Sequence, residues 1–226
     1  MSKPTITLDS KATITGLTKE QSNAIMTDLT IANPAFSKAQ NIGVTPFGIP
    51  RDFKYYMKNE KSLQVPIGYI ANIHKHINSK NTDIIDNRKT YRNEKYFNKH
   101  KLKEHLQLRD YQTEIVTTCL NKTIGIVEAM TGSGKSLAYI DLILKRKEPT
   151  LILVHTIELA NQTIQNLVNH TTITKDEIGF IGAGKFYLKN ISVGLLQTVT
   201  RLTDDKLQKI NNMFGQIICD EVQLSY

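Results

Sequence analysis

The chain has 226 residues, 40% apolar and 22% charged, which fits one or two folded domains with a real core and excludes a disordered or fibrous protein. Its apolar runs fall far short of the roughly 20 residues needed to cross a bilayer, and Met1-Ser-Lys-Pro-Thr5 opens no secretory leader, so no membrane partner and a cytoplasmic location are expected. The net charge of +8 is one-sided: residues 1–105 hold 17 Lys and Arg against 9 Asp and Glu, whereas residues 106–226 hold 12 of each. Such an excess favours a polyanionic partner for the first half.

Period-two patterning marks strands at Thr5–Leu8 and Ala12–Thr15, followed by a helix opened by the capping pattern Thr18-Lys-Glu-Gln21 and closed before Asn33-Pro34. Between Ile42 and Tyr69, Gly43, Pro46, Gly48, Pro50, Pro66 and Gly68 punctuate short strand-like runs such as residues 53–57 and 63–65. Residues 1–77 are therefore expected to form a small α+β domain. Residues 78–105 are polar and charge-rich with no apolar period, the composition of a linker. From residue 106 to 226 apolar strand runs at 123–127, 151–154, 191–196 and 216–219 alternate with helical stretches at 137–144, 157–168 and 206–213. That alternation predicts an α/β lobe, a mostly parallel sheet covered by helices, with its functional groups at strand ends. Cys119 and Cys219 lie in apolar runs without CxxC spacing and are read as small core residues rather than as a disulfide or metal pair.

One stretch carries specific chemistry. Ala129-Met-Thr-Gly-Ser-Gly-Lys135-Ser136 follows an apolar run and opens an amphipathic helix, the context of a phosphate-binding loop, with Ala at the position usually held by Gly. Gly132 and Gly134 let the backbone turn its NH groups inward, and the helix presents its positive end to the same anion. Thr131 and Ser133 complete the cradle; Lys135 would reach the β and γ phosphates of ATP, and the Ser136 hydroxyl would ligate Mg²⁺. A second apolar strand ends in Asp220-Glu221, placing Asp220 for Mg²⁺ and Glu221 to orient and deprotonate the attacking water.

Leu108-Arg-Asp-Tyr-Gln112, the loop at 129–136, Leu153-Val-His-Thr-Ile-Glu-Leu-Ala160, Gly194-Leu-Leu-Gln-Thr198 and Asp220-Glu-Val-Gln223 occur in this order. Together they resemble the first RecA-like motor lobe of superfamily 2 helicases, the DEAD/DEAH-box group in the broad sense, and within it the XPB-type repair and phage helicases. Gly182-Ala-Gly184-Lys185 approximates a further glycine-rich turn of that group. The resemblance implies that Arg109 and Gln112 belong to the nucleotide site, with the Gln112 amide reading the adenine edge. It also implies that Thr156 and Glu158, with Gln197 and Thr198, lie along a nucleic-acid strand. The first domain resembles the small DNA-engaging domain of the same relatives, although Pro66-Ile-Gly68 stands where they carry Pro-Arg-Gly. There Arg51, Lys54 and Lys58, with Lys61, Arg88, Lys89 and Arg92 and the tyrosines Tyr55, Tyr56 and Tyr91, suggest a surface for phosphates and stacked bases.

Two departures matter. Gln223 replaces the family's closing His or Asp. No Ser-Ala-Thr motif, second lobe or arginine finger follows before Tyr226, so the P-loop lobe is expected to be incomplete and to need a separate chain supplying the second lobe. The leading expectation is an ATP- and nucleic-acid-binding part of a DNA or RNA helicase, weakly active by itself. Its rivals are a non-hydrolytic DNA-binding protein with an inert motor lobe, and an unrelated P-loop enzyme such as a small-molecule kinase.

Overall fold

The computed structural model describes residues 3–78, 81–88, 91–130 and 132–220. Thr131, Glu221 and Gln223 lie outside the described residues. The chain divides into two compact units, Met1–Arg88 and Lys89–Tyr226.

The first unit begins with the hairpin β1 (Thr5–Leu8) and β2 (Ala12–Thr15), paired antiparallel with Ile6 opposite Ile14. Alternation puts Ile6, Leu8, Ala12 and Ile14 on one buried face. Helix α1 (Lys19–Asp28) starts as its sequence predicts: the Thr18 hydroxyl accepts from the Gln21 NH, and the Gln21 side chain accepts from the Thr18 NH. Its Ile25 seals the sheet's buried face. Then follow β3 (Thr30–Ala32), α2 (Pro34–Asn41), β4 (Asp52–Lys54), β5 (Met57–Lys58) and β6 (Ser62–Val65), a 3-10 helix at Ile67–Lys75, and β7 (Asp83–Asp86). The main sheet runs β5-β6-β2-β1-β7, and β3 and β4 form a separate ribbon.

In the second unit α3 (Glu94–Phe97) and α4 (Asp110–Leu120) precede α5 (Lys135–Arg146), β8 (Thr150–Val154), α6 (Ile157–His170), β9 (Ile178–Gly182), β10 (Lys185–Tyr187), β11 (Ile191–Leu195), α7 (Leu196–Val199), α8 (Asp204–Met213) and β12 (Gln216–Cys219). The sheet order is β10-β9-β11-β8-β12, parallel throughout except for β10. All five residues of β8 are buried, as befits a strand with neighbours on both sides and helices on both faces. The expected α/β lobe behind a small α+β unit is what the structure shows. Among the described residues no helix is long and apolar enough to cross a membrane.

Three expectations change. Residues 78–105, read as a linker, are shared between the units: β7 pairs in parallel with β1, and Phe97 is 1% exposed in the core formed with Ile140, Ile143, Ile152 and Leu167. An edge strand with every residue exposed contributes ladder hydrogen bonds but no apolar alternation, so composition alone reads it as polar coil. Residues 123–127 form no strand, and Ile124 and Ile126 are exposed by 57% and 88%. A strand exists only as part of a pair, and β12, at the sheet edge, has β8 as its one described neighbour. That edge position also leaves Ile217 exposed and Cys219 exposed rather than in the core, while Cys119 is half-buried.

Because Phe97 is a core residue rather than part of a tether, Phe97→Ala should destabilise the second unit by about 3–5 kcal/mol. Urea unfolding monitored through protected amides of β8 and β11 checks this; a linker position would move stability by under ~0.5 kcal/mol.

Candidate nucleotide site

The phosphate loop is shaped by two glycines in the left-handed region, Gly132 at φ +78° and Gly134 at φ +76°. Gly134 is also the N-cap of α5. A β-carbon there would sit 2.5 Å from the Gln112 Nε2 atom, so any other residue would displace that amide as well as strain the backbone. Helix α5 carries Lys135 and Ser136 in its first turn and is buried on two sides, Ile140, Ile143 and Leu144 in the main core and Ala138 and Leu142 against Val116 of α4. The loop is thereby tied to a rigid element.

The second tie comes from α4. Gln112, 4% exposed, accepts from the Arg109 NH through Oε1 at 2.9 Å. Its Nε2 donates to the Ser133 and Gly134 carbonyl oxygens at 3.2 and 3.0 Å. The Tyr111 hydroxyl donates to the same Ser133 carbonyl, and Arg109 donates to that hydroxyl at 3.2 Å. The adenine contact that the family resemblance implies for Gln112 thus meets an amide already engaged with the loop backbone. Lys135 Nζ donates to the Ala129 carbonyl oxygen at 3.2 Å, and Ser133 Oγ is buried with no partner.

Beside the loop lies a cavity of about 370 Å³ lined by Gln107, Arg109, Gln112, Ser136, Asn166 and His170 among others. Asn166 and His170 come from α6 at i and i+4 spacing, on one helix face. The motifs did not single them out, and on a helix that also carries Asn161, Gln162, Gln165 and Asn169 nothing in the sequence marks this pair. Burial, with Lys103 and His105 nearby, holds the His170 imidazole below its usual value and so neutral, and its Nδ1 is buried without a partner.

Tyr139 is a second residue the motifs did not single out. Burial pushes its phenol up; hydrogen bonds with Ser136 and Thr163 oppose that shift, and the charge of Asp220 adds to it. Ser136 and Asp220, the two expected metal ligands, therefore act on one side chain. Asp220 extends β12, its NH donating to the Leu153 carbonyl oxygen of β8 at 3.0 Å. A hydroxyl and a carboxylate are the hard oxygen donors that suit Mg²⁺, which takes few protein ligands and completes its shell with phosphate and water. With the left-handed glycine cradle and the orphaned Ser133 hydroxyl, the donor set fits a nucleotide–Mg²⁺ group.

The remaining predicted residues fall in two places. Leu195 pairs with Val154, so the segments leaving β11 and β8 start side by side at the carboxyl edge of the sheet, the edge that also carries Asp220. There Thr156 caps α6, accepting from the Leu159 NH at 3.3 Å, and Gln197 and Thr198 lie in α7. Glu158 is held below the usual carboxylate range by its own backbone NH and the Thr156 hydroxyl, which keeps a negative charge at that helix start. Arg51, Lys54 and Lys58 are exposed on the first unit.

Residues 105–223 match the family described as "Type III restriction enzyme, res subunit", and the chain belongs to that family, within the superfamily 2 helicases. Over 125 residues it is 32% identical to the DNA 3'-5' helicase XPB of Mycobacterium tuberculosis, covering 54% of this chain and 23% of that protein. Over 121 residues it is 31% identical to the DNA 3'-5' translocase XPB2 of Sulfurisphaera tokodaii, covering 54% and 26%. The chain spans about a quarter of the length of these curated relatives. A crystal structure of the UvsW helicase from bacteriophage T4 matches with a TM-score of 0.71 at 18% identity, covering 100% of this chain and 84% of that one. A second structure of T4 UvsW gives 0.68 at 18% identity, covering 98% and 47%. At that identity the likeness carries the fold, an RecA-like α/β lobe preceded by the small α+β unit.

Gln112→Ala removes three hydrogen bonds at the loop junction: the Arg109 NH loses its side-chain acceptor, while the Ser133 carbonyl keeps Tyr111 and the Gly134 carbonyl keeps the Leu137 NH, for an expected cost of about 1–3 kcal/mol. Faster hydrogen exchange at the amides of residues 132–136, with the first unit unchanged, is the measurement that checks it.

Proposed function

We propose that this chain is the ATP- and nucleic-acid-binding front part of an ATP-dependent DNA helicase, with its motor lobe at residues 106–226 and a DNA-engaging domain at 1–77. The observation that carries the proposal is that Tyr139 of α5 bonds with the loop hydroxyl Ser136 and feels the charge of Asp220, which extends β12 at the carboxyl edge of the sheet, next to a cavity lined by Arg109 and Gln112. Two halves of a nucleotide site that are far apart in sequence share one locality. Support for DNA comes from the relatives named as DNA 3'-5' helicase and translocase, and from the basic first half.

On this reading Lys135 exchanges its bond to the Ala129 carbonyl for the β and γ phosphate oxygens, and the NH groups of residues 132–136 cradle the same phosphates. Ser136 and Asp220 would hold Mg²⁺, which neutralises phosphate charge when bound. Glu221 would orient the attacking water. Asn166 and neutral His170 would close the side of the cavity toward α6. Thr156, Gln197 and Thr198 would meet the backbone of a nucleic-acid strand at the sheet's carboxyl edge, where the charge of Glu158 makes its own role one of spacing rather than of phosphate contact. A separate chain would supply the second lobe and the arginine that stabilises the transferring phosphate.

A second reading, nucleic-acid binding without turnover, draws support from one observation: residues 123–127 and the free side of β12 form no ladder among the described residues. The two readings part on one experiment. Lys135→Ala removes a charge-assisted contact worth about 1.5–3 kcal/mol, so ATP affinity should fall roughly 10- to 100-fold, and DNA-stimulated hydrolysis should rise when a second lobe is added in trans. A wild-type chain that binds DNA but shows no nucleotide affinity sensitive to Lys135→Ala sinks the motor reading and leaves the second.

For the first unit, the double reversal Lys54→Glu and Lys58→Glu should weaken DNA binding and reduce the slope of log affinity against log salt by roughly 1 per contact. Filter binding across a salt series measures it. An unchanged slope removes these lysines from the interface.

A further inference from the structure

The most exposed large apolar side chain among the described residues is Phe47, at 96%. It is not on a frayed segment. Helix α2 closes with the Ile42, Gly43 and Val44 NH groups bonded to the Lys38, Gln40 and Ala39 carbonyls, Gly43 taking φ +73°. The next turn runs Pro46-Phe47-Gly48-Ile49: the Ile49 NH donates to the Pro46 carbonyl oxygen at 3.2 Å and Gly48 takes φ +75°. That is a type II turn with glycine at its third position, and Phe47 stands at the second, the outer corner. Both ends of the segment are clamped by Asn33, 4% exposed, whose NH donates to the Arg51 carbonyl at 2.9 Å and whose Nδ2 donates to the Pro50 carbonyl at 2.8 Å. A built turn holds the ring out in water.

Its surroundings point to what the ring is for. The ribbon that follows pairs Ile31 with Phe53, and Tyr55 lies two residues on, so Ile31, Phe53 and Tyr55 share one face and are exposed by 54%, 39% and 48%. The rings of Phe53 and Tyr55 are 6.4 Å apart and tilted. Arg51 precedes Phe53 by two positions. Across residues 33–61 five Lys and Arg (Lys38, Arg51, Lys54, Lys58, Lys61) face two acids, Asp52 and Glu60. Exposed aromatic rings interleaved with cations suit an unpaired nucleic-acid strand, whose bases offer π-faces and whose phosphates offer charge; an apolar protein partner would not call for the cations, and a duplex would offer no free base faces.

We propose that the Phe47 turn and the Phe53–Tyr55 ribbon face form a stacking platform for unpaired bases, with Phe47 inserting against a base and the surrounding cations tracking the backbone. The platform rests on the nucleic-acid reading of the first unit and narrows it to single-stranded or junction DNA.

The chain contains no tryptophan, so Phe47→Trp introduces a single reporter. With the full chain and a mixed-sequence single-stranded oligonucleotide, its fluorescence should be quenched on binding; a blunt duplex of the same sequence should leave it unchanged. Phe47→Ala should weaken single-strand binding roughly 5- to 150-fold and duplex binding hardly at all. Since the side chain is solvent-exposed, both variants should melt with wild type, which separates a binding loss from a folding loss. If the wild type binds no DNA in a salt-dependent way, the nucleic-acid reading itself fails and the platform with it. If the wild type binds but Phe47→Ala binds equally well and the reporter is silent, the platform alone is overturned. A concentration-dependent elution shift that Phe47→Ala abolishes assigns the ring to a second copy of the chain, and also overturns it.

Discussion

One side-chain amide, that of Gln112, joins the start of α4, the phosphate loop and the start of α5, beside the Tyr111–Ser133 bond and the packing of Val116 on Ala138 and Leu142. It caps the start of α4, holds two carbonyls of the phosphate loop and sits where any side chain at position 134 would have to be. The loop's left-handed glycines make it conformationally expensive to order, and the segment before it pairs with no strand among the described residues. Its geometry is therefore set from α4 and α5 rather than from the sheet. Loss of the amide would leave, among the described residues, the Tyr111 hydroxyl alone to hold the loop to α4.

The parts legible in the sequence are those fixed by local rules. The Thr18–Gln21 capping box, the alternation of β1 and β2, and the strand–helix periodicity from residue 150 onward depend on near neighbours or on burial of a whole face, and all appear in the structure. The phosphate loop was legible because its chemistry demands glycine, lysine and a hydroxyl at fixed spacing. What escaped depends on distant partners. β7 reads as polar coil because its neighbour β1 lies some eighty residues earlier and gives it hydrogen bonds rather than burial. Residues 123–127 have strand composition and no pairing strand among the described residues. Asn166, His170 and Tyr139 reach the cavity or the loop only because α6 and α5 fold beside it, and no motif marks them. Phe47 escaped because Pro46 and Gly48 read as mere punctuation, whereas the turn they make is the device that displays the ring.

The charge asymmetry does not follow the boundary between the units: residues 1–88 hold 11 Lys and Arg against 7 acids and residues 89–226 hold 18 against 14, a net +4 each, because residues 89–105 belong to the second unit. From residue 106 on, the second unit places Asp220 and the helix starts after β8 and β11 at one sheet edge, with the glycine-rich loop at the start of α5. The first unit offers side-chain cations and rings on a short ribbon and turn, with its apolar core kept behind the five-stranded sheet. On the proposed reading, phosphate recognition is geometric and local in the first case and diffuse and salt-sensitive in the second. A chain that needs both would be expected to keep them in separate folded bodies, since a nucleotide cradle tolerates little side-chain freedom.

The contact between Lys135 and the Ala129 carbonyl has a consequence for how the loop tolerates change. The ammonium is held by a tethered internal ligand, present at high effective concentration, that any incoming phosphate must outcompete. That ligand is a backbone oxygen, which no substitution at position 129 can delete. Alanine in place of the usual glycine therefore leaves the resting state of the lysine untouched, and the competition that a phosphate would meet on the proposed reading is written into the course of the main chain rather than into the identity of its first loop residue.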